Sequence, residues 1–300
     1  MAKAIIKTEK LTKDYGNGRG IFDLDLEVNE GEVFGYLGPN GAGKTTTIRL
    51  IMDFLRPTKG KAEIFGLDTR ADSVQIKHKI GYLPGDLDLY DNLNGEEFLR
   101  YLAALRGGVD WNLVKQLASR IESNLSHPIR SLSHGNKQKL GLIQAFMHKP
   151  ALLILDEPTT GLDPIVQHEF THMVAEVKAE GRTVFLSSHI LPEVERTCDR
   201  VGIIRNGKLV VVENILSLKE HAIRPIEIHF ASEIKNEDFV DLKLQDLKIE
   251  KNILRCNVPG SFDALVKRLA QFEVVNIITP EPDLEQVFLN YYGKEQADVK

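Results

Sequence analysis

Eight consecutive residues, Gly38-Pro39-Asn40-Gly41-Ala42-Gly43-Lys44-Thr45, join three glycines to a lysine and a hydroxyl. Glycine at this spacing lets the backbone turn tightly and aim successive N–H groups at a polyphosphate. Lys44 would reach the terminal phosphates, and the Thr45 hydroxyl would take a place on Mg²⁺. The flanks agree with this chemistry. Residues 33–37 read as a buried strand, and residues 46–52, beginning with Thr46, have helical spacing of their apolar members. A helix starting near Gly43 would point its positive end at the same phosphates, so a nucleoside triphosphate is predicted to bind here.

Asp156 and Glu157 follow the uninterrupted apolar run 151–155, the pattern of a strand buried on both faces of a parallel sheet. Two adjacent carboxylates at the carboxyl end of such a strand, beside a phosphate loop, suit a metal ligand and a base. Asp156 is predicted to hold Mg²⁺ directly or through water, and Glu157 to polarise the attacking water. His189 closes another buried run, 183–187, where it can donate to a γ-phosphate. Ser133 is an N-cap candidate, with Asn136 three residues on, for a helix running to about residue 148. Spacing alone leaves open whether that helix end meets a ligand, and whether Tyr15 stacks on a purine or is an exposed turn residue.

The elements that must position these groups alternate as in an α/β core. Strand patterns at 4–10 and 22–28 flank the turn Gly16-Asn17-Gly18, and short strands are expected at 61–65 and 80–83 on either side of a helical segment near 74–79. Residues 95 to about 125 read as two helices parted by Gly107-Gly108, one with a stripe of Phe98, Leu99, Leu102 and Leu105, the other of Leu113, Leu117 and Ile121. They form an inserted helical subdomain, taken as about 86–148. A helix from Gly161-Leu162-Asp163-Pro164 to about residue 180 precedes the 183–187 strand, and strands near 201–204 and 208–212, joined by Asn206-Gly207, close the domain as a hairpin. Beyond about 216, segments 226–230 and 253–258, a helix at 262–269 and a strand at 274–278 read as a small α+β domain.

Three hundred residues with 42% hydrophobic content allow one large domain with a smaller companion and a buried core. No apolar run of about eighteen residues occurs, and the opening residues lack a signal-peptide core, so a cytoplasmic chain that does not cross a bilayer is expected. The formal charge is −5, and no basic cluster marks a nucleic-acid partner. Cys198 and Cys256 lack metal-ligand spacing and are expected as buried free thiols, without disulfide or zinc.

In order, Gly38–Thr45, Leu132–Asn136, Leu152–Glu157, Gly161–Asp163 and His189 resemble the motifs of ABC transporter ATP-binding subunits, over residues 3 to about 215. The resemblance implies a P-loop NTPase core of the ABC ATPase fold with an antiparallel β subdomain, an inserted helical subdomain and an appended α+β domain, spanning 1–215 and 216–300. It implies ATP and Mg²⁺ as ligands, Tyr15 as the adenine-stacking aromatic, and Ser133 and Gly135 as the signature capping the γ-phosphate of ATP held by the opposite subunit. Asp163 resembles the acid lining the dimer interface, His189 the switch histidine, and Glu157 the catalytic carboxylate. Two subunits, most simply a homodimer, would close around two ATP molecules and drive separate integral membrane permeases from the inner face of the membrane.

Three positions depart from the pattern. His134 and Asn136 replace the first glycine and the glutamine of the usual Leu-Ser-Gly-Gly-Gln signature, and Gly85 stands where a glutamine normally touches Mg²⁺ and water, leaving Asp86 or the backbone for coupling. The ending, from Pro282 to Tyr292, is similar to that of drug and antibiotic exporter subunits. An exporter ATPase is therefore expected, with a soluble ABC ATPase acting on ribosomes or DNA, an importer subunit and a non-hydrolysing regulator as the rivals.

Overall fold

The computed structural model describes residues 3–221, 224–242, 244–258 and 261–279. The chain divides into two compact units, Met1–Glu213 and Asn214–Lys300.

In the first unit, β1 (Ala4–Asp14) and β2 (Gly20–Asn29) form an antiparallel pair, followed by β3 (Val33–Leu37), α1 (Lys44–Ile51), β4 (Lys59–Ile64), β5 (Leu67–Asp68), α2 (Ser73–His78) and β6 (Ile80–Leu83). Helices α3 (Gly95–Leu105), α4 (Trp111–Arg120) and α5 (His134–Phe146) come next. The unit ends with β7 (Leu152–Asp156), α6 (Pro164–Ala179), β8 (Thr183–Ser188), α7 (Leu191–Thr197), β9 (Arg200–Arg205) and β10 (Lys208–Asn214). Two sheets result, ordered β2-β1-β4-β5 and β10-β9-β3-β8-β7-β6. In the second, β9, β3, β8, β7 and β6 run parallel, so β3, β8 and β7 are neighbours with their carboxyl ends together.

Helix α1 touches β2 and β4 of one sheet and β7 of the other, and one apolar cluster runs through all three layers. Phe34 stacks on Phe185 at 5.8 Å between centroids, and Tyr36 packs on the same ring at 5.5 Å. Every residue of β3, β7 and β8 is buried, which explains their unbroken apolar runs.

Several boundaries differ from the sequence expectation. The 95–125 segment turns out of helix after Arg120, because Glu122 takes φ +51 and Ser123 N–H bonds the Ala118 carbonyl, closing α4 with a left-handed cap. The buried stripe of α4 is Val114, Leu117 and Ala118, with Leu113 half-buried, and Leu105 at the end of α3 is exposed. The inserted helices start at Gly95, as expected, behind a capping box of Asn94 and Glu97. Strand β4 begins at Lys59, two residues early, and α7 was not anticipated.

The second unit holds α8 (Ile215–His221), β11 (Arg224–Phe230), β12 (Gln245–Glu250), β13 (Ile253–Val258), α9 (Asp263–Leu269) and β14 (Val274–Ile278). Its strands form an antiparallel sheet ordered β12-β13-β11-β14 over a core of Phe230, Phe239, Leu254 and Leu265. Strand β12, unexpected from sequence, alternates half-buried Leu247 and Ile249 with exposed neighbours. The exporter-like ending, 282–292, lies outside the described residues. Cys198 and Cys256 are buried and free.

Candidate functional site

The carboxyl ends of β3, β8 and β7 deliver the three groups of residues singled out above. After β3, Gly38 N–H bonds the Ser188 carbonyl at 3.3 Å, which ties the start of the phosphate loop to the end of β8. Pro39, Asn40 and Gly41 are exposed, while Gly38, Ala42 and Lys44 are buried and Thr45 and Thr46 half-buried in the first turn of α1. Gly41 and Gly43 take φ +81 and +113, backbone conformations that L side chains rarely adopt. The Lys44 ammonium donates to the Gly38 carbonyl at 2.7 Å and pairs with Glu157 Oε1 at 3.1 Å. Glu157 Oε2 lies 2.8 Å from His189 Nδ1, so one carboxylate bridges the lysine of the loop and the histidine beyond β8.

Glu157 itself is held in an unusual backbone state, φ +50. For a non-glycine this costs on the order of 1–3 kcal/mol and persists only where the surroundings dictate it. Here Glu157 N–H donates to Ser187, at 3.2 Å from its carbonyl oxygen, and the Gln138 amide of α5 donates to the carbonyls of Glu157 and Pro158, each at 3.1 Å. Gln138 is 1% exposed, a polar residue on the inner face of a helix, and nothing in the apolar periodicity distinguishes it. Ser187 was read only as a strand residue. Glu193 of α7 was also missed: it is buried, accepts from Ser188 Oγ at 2.6 Å, and burial raises its carboxyl above the usual range.

Asp156 is completely buried. Ser187 Oγ donates to its Oδ1, while Oδ2 has no hydrogen-bond partner among the described residues. A bare buried carboxylate oxygen is costly unless a cation compensates it, and a hard oxygen donor suits Mg²⁺. A Cβ built on Gly85 would lie 3.1 Å from that oxygen, so glycine keeps this side of Asp156 clear. This carboxylate oxygen therefore fits a cation held by few protein ligands, with phosphate and water supplying the rest.

Among the described residues, no hydrogen bond or ion pair joins the other predicted residues to this cluster. Ser133 caps α5, accepting from Asn136 N–H at 3.3 Å, and it is exposed together with His134 and Asn136. Gly135 abuts Gly161: a Cβ there would come within 2.4 Å of the Gly161 carbonyl oxygen. Asp163 caps α6 through Ile165 and Val166 N–H; the Val166 bond, with Lys139 3.7 Å away, holds its carboxyl below the usual range. Among the described residues no hydrogen bond or ion pair joins Ser133 or Gly135 to the phosphate loop. Tyr15 is 56% exposed, with Lys13 Nζ 5.6 Å from its ring centre.

Comparison with known proteins gives a consistent answer. Residues 21–160 match the protein family described as ABC transporter. The bacitracin transport ATP-binding protein BcrA of Bacillus licheniformis is 35% identical, over 96% of this chain and 97% of that one. The Nod factor export ATP-binding protein I of Rhizobium etli is 31% identical, over 98% and 95%. A solved structure of an ATP-binding subunit of an ABC transporter superposes with a TM-score of 0.65 at 31% identity, covering 72% of this chain and 92% of that one. With its phosphate loop, acid pair and histidine gathered at three adjacent strand ends, and with full-length likeness to such proteins, this chain belongs to the ABC transporter family as an ATP-binding, ATP-hydrolysing subunit.

Proposed function

We propose that this chain is the ATPase subunit of an exporter, acting with Mg²⁺, paired with a second ATPase subunit, and seated on integral membrane permeases at the inner face of the membrane. The observation that carries the reading is the bridge Lys44–Glu157–His189 beside a buried acid with a free oxygen. In this reading the phosphate loop and the start of α1 hold the polyphosphate, Tyr15 stacks on the adenine, and Thr45 and Asp156 hold the cation. When bound, Mg²⁺ offsets the charge of the phosphate oxygens. A terminal phosphate at Lys44 replaces Glu157 Oε1 as the partner of the ammonium and leaves that oxygen able to take a proton from water. His189 orients the carboxylate through Oε2 and donates to the γ-phosphate.

The exposed start of α5 supports the pairing. Ser133 and Gly135 present a positive helix end with no bond to their own phosphate loop, as expected if they cap ATP held by a second copy, with Asp163 along the same face. Among the described residues no helix is long and apolar enough to cross a membrane, so transport would need separate permeases. A groove of about 330 Å³ lined by Phe54, Tyr82, Leu87 and Leu89, with Lys77, Asp88 and Arg106 among its other lining residues, offers them a mixed apolar and charged seat. The transport and export named for two full-length relatives favour this reading over ribosome- or DNA-bound ATPases, and the acidic balance agrees.

The test is Glu157→Gln, examined by light scattering with and without Mg²⁺-ATP and by phosphate release. Binding is expected to persist, turnover to fall by about 10²–10⁴-fold, and an ATP-dependent dimer to accumulate. Turnover at the parental rate would remove Glu157 as the base.

A further inference from the structure

His134 occupies a signature position where glycine is usual, and its surroundings give it a specific seat. Its ring lies across Gly161: a Cβ built on that glycine would stand 2.7 Å from His134 Cδ2 and 3.4 Å from Nε2. Gly161 takes φ +77, and its carbonyl faces Gly135 too closely for a side chain there. The contact continues along α5. Gln138 binds the Glu157 and Pro158 carbonyls, and Lys139 faces Asp163. The whole loop from the base to the α6 cap is thus laid against the first two turns of α5, with His134 at the outer end.

We propose that His134 is a positioning residue for hydrolysis: its ring clamps the Gly161–Asp163 loop onto the start of α5, so that the helix end offered to the partner's nucleotide and the segment bearing the chain's own base move as one body. The proposal rests on the paired-site reading above. The His134 atom nearest to where a Cβ on Gly161 would stand is a ring carbon, so ring shape matters more than charge. Substitution by glycine removes the clamp while leaving the Ser133 cap, Gln138 and every nucleotide-touching group in place.

The test compares H134G and H134F in the full chain by steady-state Mg²⁺-ATPase kinetics, with the E157Q dimer assay run alongside. H134G is expected to lower kcat by roughly five- to tenfold with KM for ATP changed less than about twofold, because it disturbs an arrangement needed for reaction rather than for binding. H134F, which restores a ring over Gly161, should recover kcat to within about twofold of the parent. A double-mutant cycle of H134G with G161A should be non-additive, since removing the ring relieves the clash with the added methyl while its strain at φ +77 is the same in both backgrounds. Parental kcat in H134G, no recovery in H134F, or an additive cycle would each overturn the clamp. Failure of the parent reading is distinct: E157Q would then remain monomeric with ATP whatever stands at position 134.

Discussion

The ends of β3, β8 and β7 and the start of α5 are both chemical ends of elements, yet they are built in opposite ways. At the strand ends the charged side chains have partners: Lys44 with Glu157, Glu157 with His189, Asp156 with Ser187, under a backbone locked by Gln138. At the helix start, Ser133, His134 and Asn136 lie exposed, and among the described residues the Ser133 side chain makes only its own cap. A parallel sheet can pre-assemble buried polar groups because neighbouring strands deliver them to one place. A helix end exposes N–H groups that await an acceptor from elsewhere. The first region is equipped to bind nucleotide within one chain, and in the paired reading proposed above the second gains its use from a second chain.

The comparison breaks most severely at Lys44. Lys44→Ala should weaken ATP binding to the isolated chain by about ten- to a hundredfold, as loss of a charge-assisted bond does, with turnover falling further; calorimetric titration checks it. Unchanged affinity would mean that the strand-end cluster does not hold the phosphates. Ser133→Ala should leave monomer affinity intact, cost about 1 kcal/mol of stability through loss of the cap, and weaken the ATP-bound E157Q dimer by about tenfold. A dimer of parental strength in the S133A/E157Q protein would withdraw the helix end from the nucleotide site.

The smallest expected effect concerns the far end of α5, which is anchored to β6. Gln144 donates to the Tyr82 carbonyl, and His148 Nε2 lies 3.1 Å from the Ile80 carbonyl. Burial, with the Arg106 charge next, pushes the His148 imidazole down from its ordinary 6.5 to about 4. Between those values the unfolded chain binds a proton that the folded chain does not, so this contribution to stability is present above pH 6.5 and is lost as pH falls toward 4. Chemical denaturation from pH 7 to 4.5 should show a shallower decline in His148→Gln than in the parent, and equal slopes would place the titration elsewhere.

Much of this was legible in the residues alone. The phosphate loop, the acid pair and the histidine each sit directly after a fully buried strand, and an unbroken apolar run is a local signal that survives any rearrangement elsewhere. The cap of α5 was readable for the same reason, since Ser133 bonds an N–H group within its own first turn, whereas the Asp163 cap of α6 emerged only in the structure. Element ends set by left-handed residues other than glycine, such as Glu122 closing α4, carried no such mark.

What only the tertiary structure decided is adjacency. No spacing says that β8 lies between β3 and β7, yet that order is what brings Ser187 to Asp156 and His189 to Glu157, 31 and 32 residues apart in the chain. The left-handed turn at Glu157, the buried Gln138 beneath it and the seat of His134 on Gly161 likewise depend on packing between distant segments. Periodicity and motif spacing record hydrogen bonds and burial within one element, whereas the pairing of elements is selected by the energy of the whole core, to which each residue adds only a small part.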